Sequence, residues 1–176
     1  RIGLHYHAMT EAVYVIEGQQ RDEKGCYPTG SLYFNPPGSG HAISESRGFF
    51  LLAYAAPPDF ANTERIRSYR PVQFNAAILR DELSHPFEAV RAGVKIYCVP
   101  LQSGGGMGGQ LIKSASPEHY HYTGHCLLVL EGICRINGTT FRAGMLAVAA
   151  STESQTYAIS AGDDSACLLL GLAFDT

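Results

Sequence analysis

His5-Tyr6-His7-Ala8-Met9-Thr10-Glu11 stands in the first half of the chain, and His119-Tyr120-His121-Tyr122-Thr123-Gly124-His125 in its second half. Adding 114 to a first-half position carries His5 onto His119, Tyr6 onto Tyr120 and His7 onto His121. The same offset carries Glu17-Gly18 onto Glu131-Gly132 and Gly30 onto Gly144, with no insertion from position 5 to position 30. A register kept over that distance reads as two copies of one structural unit.

The segments inside each copy read as strands. Ala12-Val13-Tyr14-Val15-Ile16 is β-branched and aromatic and stops at Glu17-Gly18. Cys126-Leu127-Leu128-Val129-Leu130 stops at Glu131-Gly132 in the same way. Ser31–Phe34, Gly48–Tyr54, Lys95–Val99 and Ala166–Leu170 are further short apolar runs, several of them bounded by proline or glycine. Many short strands with 19 glycines and 9 prolines at their turns predict an all-β chain, a barrel or sandwich in each copy. A short helix from Asn75 to Arg80, capped by the asparagine, and a strand there are both open.

Composition narrows the function. Of 176 residues, 45% are apolar and 16% charged, enough for a packed core. A net charge of −3 offers no basic surface for a phosphate backbone, so nucleic acid is not an expected partner. The longest uncharged apolar stretch, Gly48–Pro58, is 11 residues and contains two prolines. A spanning helix needs about 20, so no membrane is expected. Five cysteines, an odd count without a CxxC pair, argue against a disulfide framework or zinc ribbon. They point to a reducing, cytoplasmic setting, and the sequence opens without a leader-like segment.

The histidines carry the chemistry. On a strand, His5 and His7 project from the same face, and Glu11 shares their parity. His41 follows the turn Asn35-Pro36-Pro37-Gly38, far along the chain. Strands curled into a barrel bring such residues together. Three imidazoles and a carboxylate suit a divalent transition metal and leave positions open for water, dioxygen or a bidentate ligand.

The spacing His5-x-His7-x3-Glu11-x6-Gly18, followed by Gly30-x5-Pro36-x-Gly38-x2-His41, resembles the two cupin motifs. Glu45 stands where the usual terminal asparagine would be. The run Asp22-Glu23-x-Gly25-x-Tyr27-Pro28-x-Gly30-Ser31, with Asn35-Pro36-Pro37-Gly38-Ser39-x-His41, resembles more closely the cupin domain of the ChrR anti-sigma factors. The resemblance implies two tandem cupin barrels, double-stranded β-helices of the jelly-roll type. They are expected over 1–56 and 91–176, joined by a linker over 57–90. It implies His5, His7, Glu11 and His41 as metal ligands, with zinc or iron as the leading metals and manganese or nickel as alternatives. It also implies a homodimer and, more distantly, a sigma factor as partner.

In the second copy His125 replaces the glutamate and Gln155 falls at the offset position of His41. His119, His121 and His125 predict a second, carboxylate-free metal site, with Gln155 as a weak oxygen donor and a total of two metals per chain. The glycine run Ser103–Gly109 lacks the residues of a phosphate loop and reads as a strand connection. His85, between serine and proline, reads as a surface residue, and Arg65, Arg67 and Arg70 as a solvated face. Cys126 and Cys134 read as buried thiols. Two functions follow. One is a metal-centred sensor or binding module for a small ligand or oxidant. The other is a mononuclear non-haem dioxygenase cleaving a β-diketone or phenolic ketone.

Overall fold

The computed structural model describes residues 1–75, 88–91, 93–99, 107–162 and 166–174. Of the helix expected from Asn75 to Arg80, Asn75 is in a strand and residues 76–80 lie outside them, as do His85 and the glycines at 104–106. The described residues divide into two compact units, the first ending at 75 and the second starting at 88.

The first unit is built from β1 (Ile2–Tyr6), β2 (Glu11–Arg21), β3 (Cys26–Pro28), β4 (Ser31–Asn35), β5 (Gly40–Ile43), β6 (Glu45–Tyr54) and β7 (Val72–Asn75). A single 3-10 turn, Thr63–Arg65, is the one helical element among the described residues. β2 is the organising strand: it pairs with β4 and β3 on one side and with β6 on the other. β1 and β5 form a separate two-stranded sheet. On one face of β2, Val13 and Val15 are buried with Tyr33 and Tyr27, whose rings stack at 3.9 Å, and Phe50 packs against them. The period of two puts Val13 and Val15 on that face, and Ala12 and Tyr14 on the other are buried as well. The stretch expected as a linker contributes to this unit as far as Asn75. Asp59 exchanges backbone hydrogen bonds with Tyr6, and β7 pairs with β4. The far edge of β6 has no partner strand among the described residues.

Gly18 and Gly48 face each other where β2 and β6 cross a bulge. Their φ angles are +90° and +112°, and a Cβ on either would overlap a carbonyl oxygen of the opposite strand. That is why the motif glycine is required there. Its repeat partner, Gly132, has φ +76° and the same constraint against Ala166.

The second unit holds β8 (Glu88–Arg91), β9 (Val94–Val99), β10 (Met107–Ser114), β11 (Tyr120–Gly124), β12 (Cys126–Glu131), β13 (Ile133–Ile136), β14 (Thr139–Arg142), β15 (Leu146–Val148), β16 (Gln155–Ala161) and β17 (Cys167–Phe174). One sheet runs β15-β12-β17-β10-β9-β8 and the other β11-β16-β13-β14. Between them Ile112, Leu127, Ile159 and Leu169 are completely buried, with Tyr122 and Tyr157 among them.

Strand pairing shows where the repeat loses register. Ala12 faces Phe34 and Ala53, and its counterpart Cys126 faces Val148 and Leu172. Phe34 to Val148 keeps the offset of 114, whereas Ala53 to Leu172 is 119. The second unit therefore holds five additional residues between β15 and β17.

Candidate metal centre

His5, at the end of β1, lies directly opposite His41 on β5. His7 follows β1, and Glu11 begins β2 beside Asn35 of β4. One ligand atom from each of His5, His7, Glu11 and His41 falls in a group whose members all lie within 4.8 Å of one another, and all four residues are buried. Among the described residues this is the one such group of three or more metal-ligating side chains. The imidazole rings stand edge to face, with centroids 4.7 to 5.2 Å apart.

Hydrogen bonds fix which atom each ring offers. His5 Nδ1 lies 2.9 Å from the Gly3 carbonyl; a carbonyl only accepts, so the proton sits on Nδ1 and Nε2 is free for the cluster. His41 Nδ1 donates to Asp22 Oδ2 at 2.9 Å, and its Nε2 is 3.3 Å from Glu11 Oε2. Asn35 Nδ2 donates to the same Glu11 oxygen at 2.9 Å. His7 is the exception. Its Nε2 is 3.5 Å from Glu11 Oε2, but neither ring nitrogen has a hydrogen-bond partner, in a residue 1% exposed. A buried, unpaired polar atom is costly unless something satisfies it. A divalent cation in the group of ligand atoms does so, and the donor set suits it.

The electrostatics agree. Burial pushes the His7 pKa down to about 4, His41 and His5 reinforcing this against the pull of Glu11. Burial would also lower His41, but hydrogen bonds to Asp22 and Glu11 outweigh it and raise the pKa to about 9. Burial works to raise Glu11, yet the bond from His41, the charges of His7 and His41 and the bond from Asn35 hold it below its ordinary value. His41 thus stands between the carboxylates of Asp22 and Glu11, and both favour its protonated form.

A pH profile follows for chelator-treated protein. The raised His41 pKa contributes stability below the unfolded value of 6.5 that is lost as pH climbs through about 9. His7 must be neutral, so stability is also lost as pH falls from 6.5 towards 4. Each flank amounts to about 3 kcal/mol at 1.36 kcal/mol per unit. The thermal midpoint measured from pH 4 to 9 should peak near 6.5; a midpoint rising steadily to pH 9 contradicts the His41 assignment.

The second histidine set is not brought together. On β11 the inward residues are Tyr120 and Tyr122, facing Ile159 and Tyr157 of β16. His119 and His121 therefore alternate outward and are exposed. His125 is buried, but its Nδ1 accepts from the Phe174 amide at 3.0 Å and its Nε2 donates to the Thr152 carbonyl at 3.0 Å. Both nitrogens are engaged, and the ring serves as a brace between two backbone segments. Gln155 stands opposite Gly124, displaced from any place equivalent to His41 by the five-residue insertion. Tyr122 takes the interior instead, its ring so close to Gly124 and Gly171 that a Cβ on either would overlap it.

Other expected features fall into place on the surface or in the core. Glu45 pairs with Arg47 at 3.0 Å. Arg65 lies over the Tyr6 ring, 5.0 Å from its centroid. Cys126 and Cys134 are buried free thiols. Burial raises the Cys126 pKa to about 11; the Cys167 thiol and burial raise that of Cys134. Sequence reasoning missed Asp22 and Asn35 as supports of the cluster. Both lie inside the quoted motif runs, but neither is itself a motif ligand.

Residues 1–57 match the family model of the ChrR cupin-like domain. Solved structures cover nearly the whole chain. A Cupin 2 conserved barrel domain protein from Leptotrichia buccalis superposes with a TM-score of 0.62 at 14% identity, covering 99% of this chain and 79% of that one. The chain has the cupin fold, and its first 57 residues resemble the ChrR cupin.

Two further cupins superpose at similar quality. Oxalate decarboxylase from Bacillus subtilis, a protein with Mn(II) centres, gives a TM-score of 0.56 at 15% identity, covering 98% of this chain and 65% of that one. Quercetin 2,3-dioxygenase from Acinetobacter baumannii gives 0.54 at 13%, covering 97% and 66%. The present chain thus spans just under two thirds of the length of the B. subtilis cupin. No curated protein matches the sequence.

Proposed function

We propose that the first barrel holds one divalent transition metal on His5, His7, Glu11 and His41, and that the chain works as a metal-centred sensor or binding module for a small ligand or oxidant. The carrying observation is the convergence of four buried ligand atoms, one of them from a histidine whose two nitrogens have no hydrogen-bond partner. Four protein donors leave one or two positions of a zinc or iron ion open, and a bound ion there supplies a Lewis-acid centre. The chain's own residues orient it. Gly3 and Asp22 fix the tautomers of His5 and His41, and Asn35 holds the Glu11 carboxylate. The Phe60 ring, 58% exposed, lies 5.3 Å from that of His5 and marks one approach from solvent. The likeness of residues 1–57 to the ChrR cupin supports the sensor reading, with a sigma factor as candidate partner. Phe49, Leu52 and Tyr54, exposed on a strand with an open edge, support a homodimer through β6.

Metal analysis of protein purified without chelators or affinity nickel tests the centre. One equivalent per chain is expected, unchanged in His121→Ala, because His121 points outward. Two equivalents, or a loss in His121→Ala, would restore a site in the second unit. Oxygen uptake with β-diketones or phenolic ketones would move the assignment from sensor to dioxygenase.

A further inference from the structure

Asp22 is the buried carboxylate that stands outside the ligand set and bonds to it. It directly follows β2, in the turn to β3, and its side chain has no exposed surface. Its two oxygens serve different parts of the molecule. Oδ2 takes the Nδ1–H of His41 at 2.9 Å. Oδ1 takes the amides of Lys24 at 2.7 Å and Gly25 at 2.9 Å, which close the turn. The Tyr27 hydroxyl reaches both oxygens, at 3.3 and 3.4 Å. Next to it, Glu23 Oε2 accepts from the amide of Ala42, the residue after His41. Glu23 and Lys24 are themselves exposed.

We infer that Asp22 is a positioning residue: it fixes Nε2 as the nitrogen His41 offers, and it joins the β2–β3 turn at the surface to the occupancy of the metal centre. The inference rests on the metal reading above and adds the route by which occupancy reaches the surface. A ring held by one short bond cannot turn without disturbing the carboxylate, and that carboxylate is also the staple of the turn. A partner that Glu23 and Lys24 contact would therefore sense whether His41 is held. Supports of this kind fix the tautomer and orientation of a ligating imidazole, and losing one weakens metal binding about 10–100-fold.

The test uses the full chain, with zinc as the probe. Zinc affinity is measured by competition with a chromophoric chelator in wild type and Asp22→Asn, together with amide exchange of the turn and ¹⁵N spectra of the imidazoles. The expected result is 10–100-fold weaker zinc binding in Asp22→Asn. In wild type, zinc slows exchange at Lys24 and Gly25, and His41 keeps its Nδ1 proton; in the variant the exchange response disappears. Should Asp22→Asn fail to fold, the two wild-type readouts decide. Coordination through His41 Nδ1, or turn amides indifferent to zinc, overturns the inference, as does a variant binding zinc as tightly as wild type. Wild-type protein that takes up no zinc or other divalent transition metal overturns the metal centre itself, a separate outcome.

Discussion

His7→Leu will empty the metal centre and yet raise the melting temperature of metal-free protein. Leucine fills a similar volume, so little cavity opens. What disappears is an imidazole with two buried, unpartnered nitrogens, whose desolvation is unrepaid in the absence of a cation. Replacing a poorly satisfied buried polar group by an apolar one of like shape is neutral to stabilising. The metal-loaded comparison has the opposite sign. Wild type gains whatever free energy the ion contributes by mass action, and the variant gains none. Metal content should drop from one equivalent to near zero, a larger loss than the about 10–100-fold of an outer support. Thermal melts of both proteins, with chelator and with one equivalent of zinc, read both signs at once. A variant less stable than wild type in chelator would show that His7 is a satisfied packing residue and would remove the main argument for a cation.

Gly48→Ala carries the largest expected effect on folding. Its φ of +112° is strained for any L side chain, and the added Cβ would overlap the Glu17 carbonyl oxygen across the bulge. Neither neighbour is the tip of a flexible side chain, so the backbone of β2 or β6 must shift. Strain and overlap together should cost about 3 kcal/mol or more. Gly138→Ala is the control. Its φ of +79° carries the backbone strain, but nothing lies within 4 Å of the new atom, so about 1 kcal/mol is expected. Urea unfolding of the two variants separates strain from overlap. Equal losses would mean that the crossing of β2 and β6 yields more easily than its geometry implies.

These two positions show what a reader of the sequence can and cannot see. Gly18, opposite Gly48, was visible because the motif demands glycine where two strands cross at a bulge, and its repeat at Gly132 has the same left-handed backbone. The spacing of the two motifs makes His5, His7, Glu11 and His41 legible, but the period of two relates only His5 to His7: Glu11 stands on the next strand, β2, and His41 on β5. The face of His119 and His121 was not visible in the same way. Spacing says that two residues share a side of a strand, never which side it is. That choice belongs to the register of β11 on β16, and there Tyr122 and Tyr157 take the interior. The five-residue insertion lies beyond the part of the repeat whose offset can be read from identical residues. Asp22 was hidden for another reason: a turn aspartate is ordinary, and only coordinates reveal that its second oxygen reaches back to His41.

The tyrosine that occupies the interior of the second barrel has a consequence for the chain as a duplicated object. A cluster of three imidazoles and a carboxylate gives up apolar packing at the positions where its members meet. Its twin spends those interior positions on Tyr122 and Tyr157, which belong to an apolar core. The two halves then answer to different requirements, the placement of ligating side chains in one and the density of a core in the other. Their sequences are free to drift apart even while their strands keep the same order.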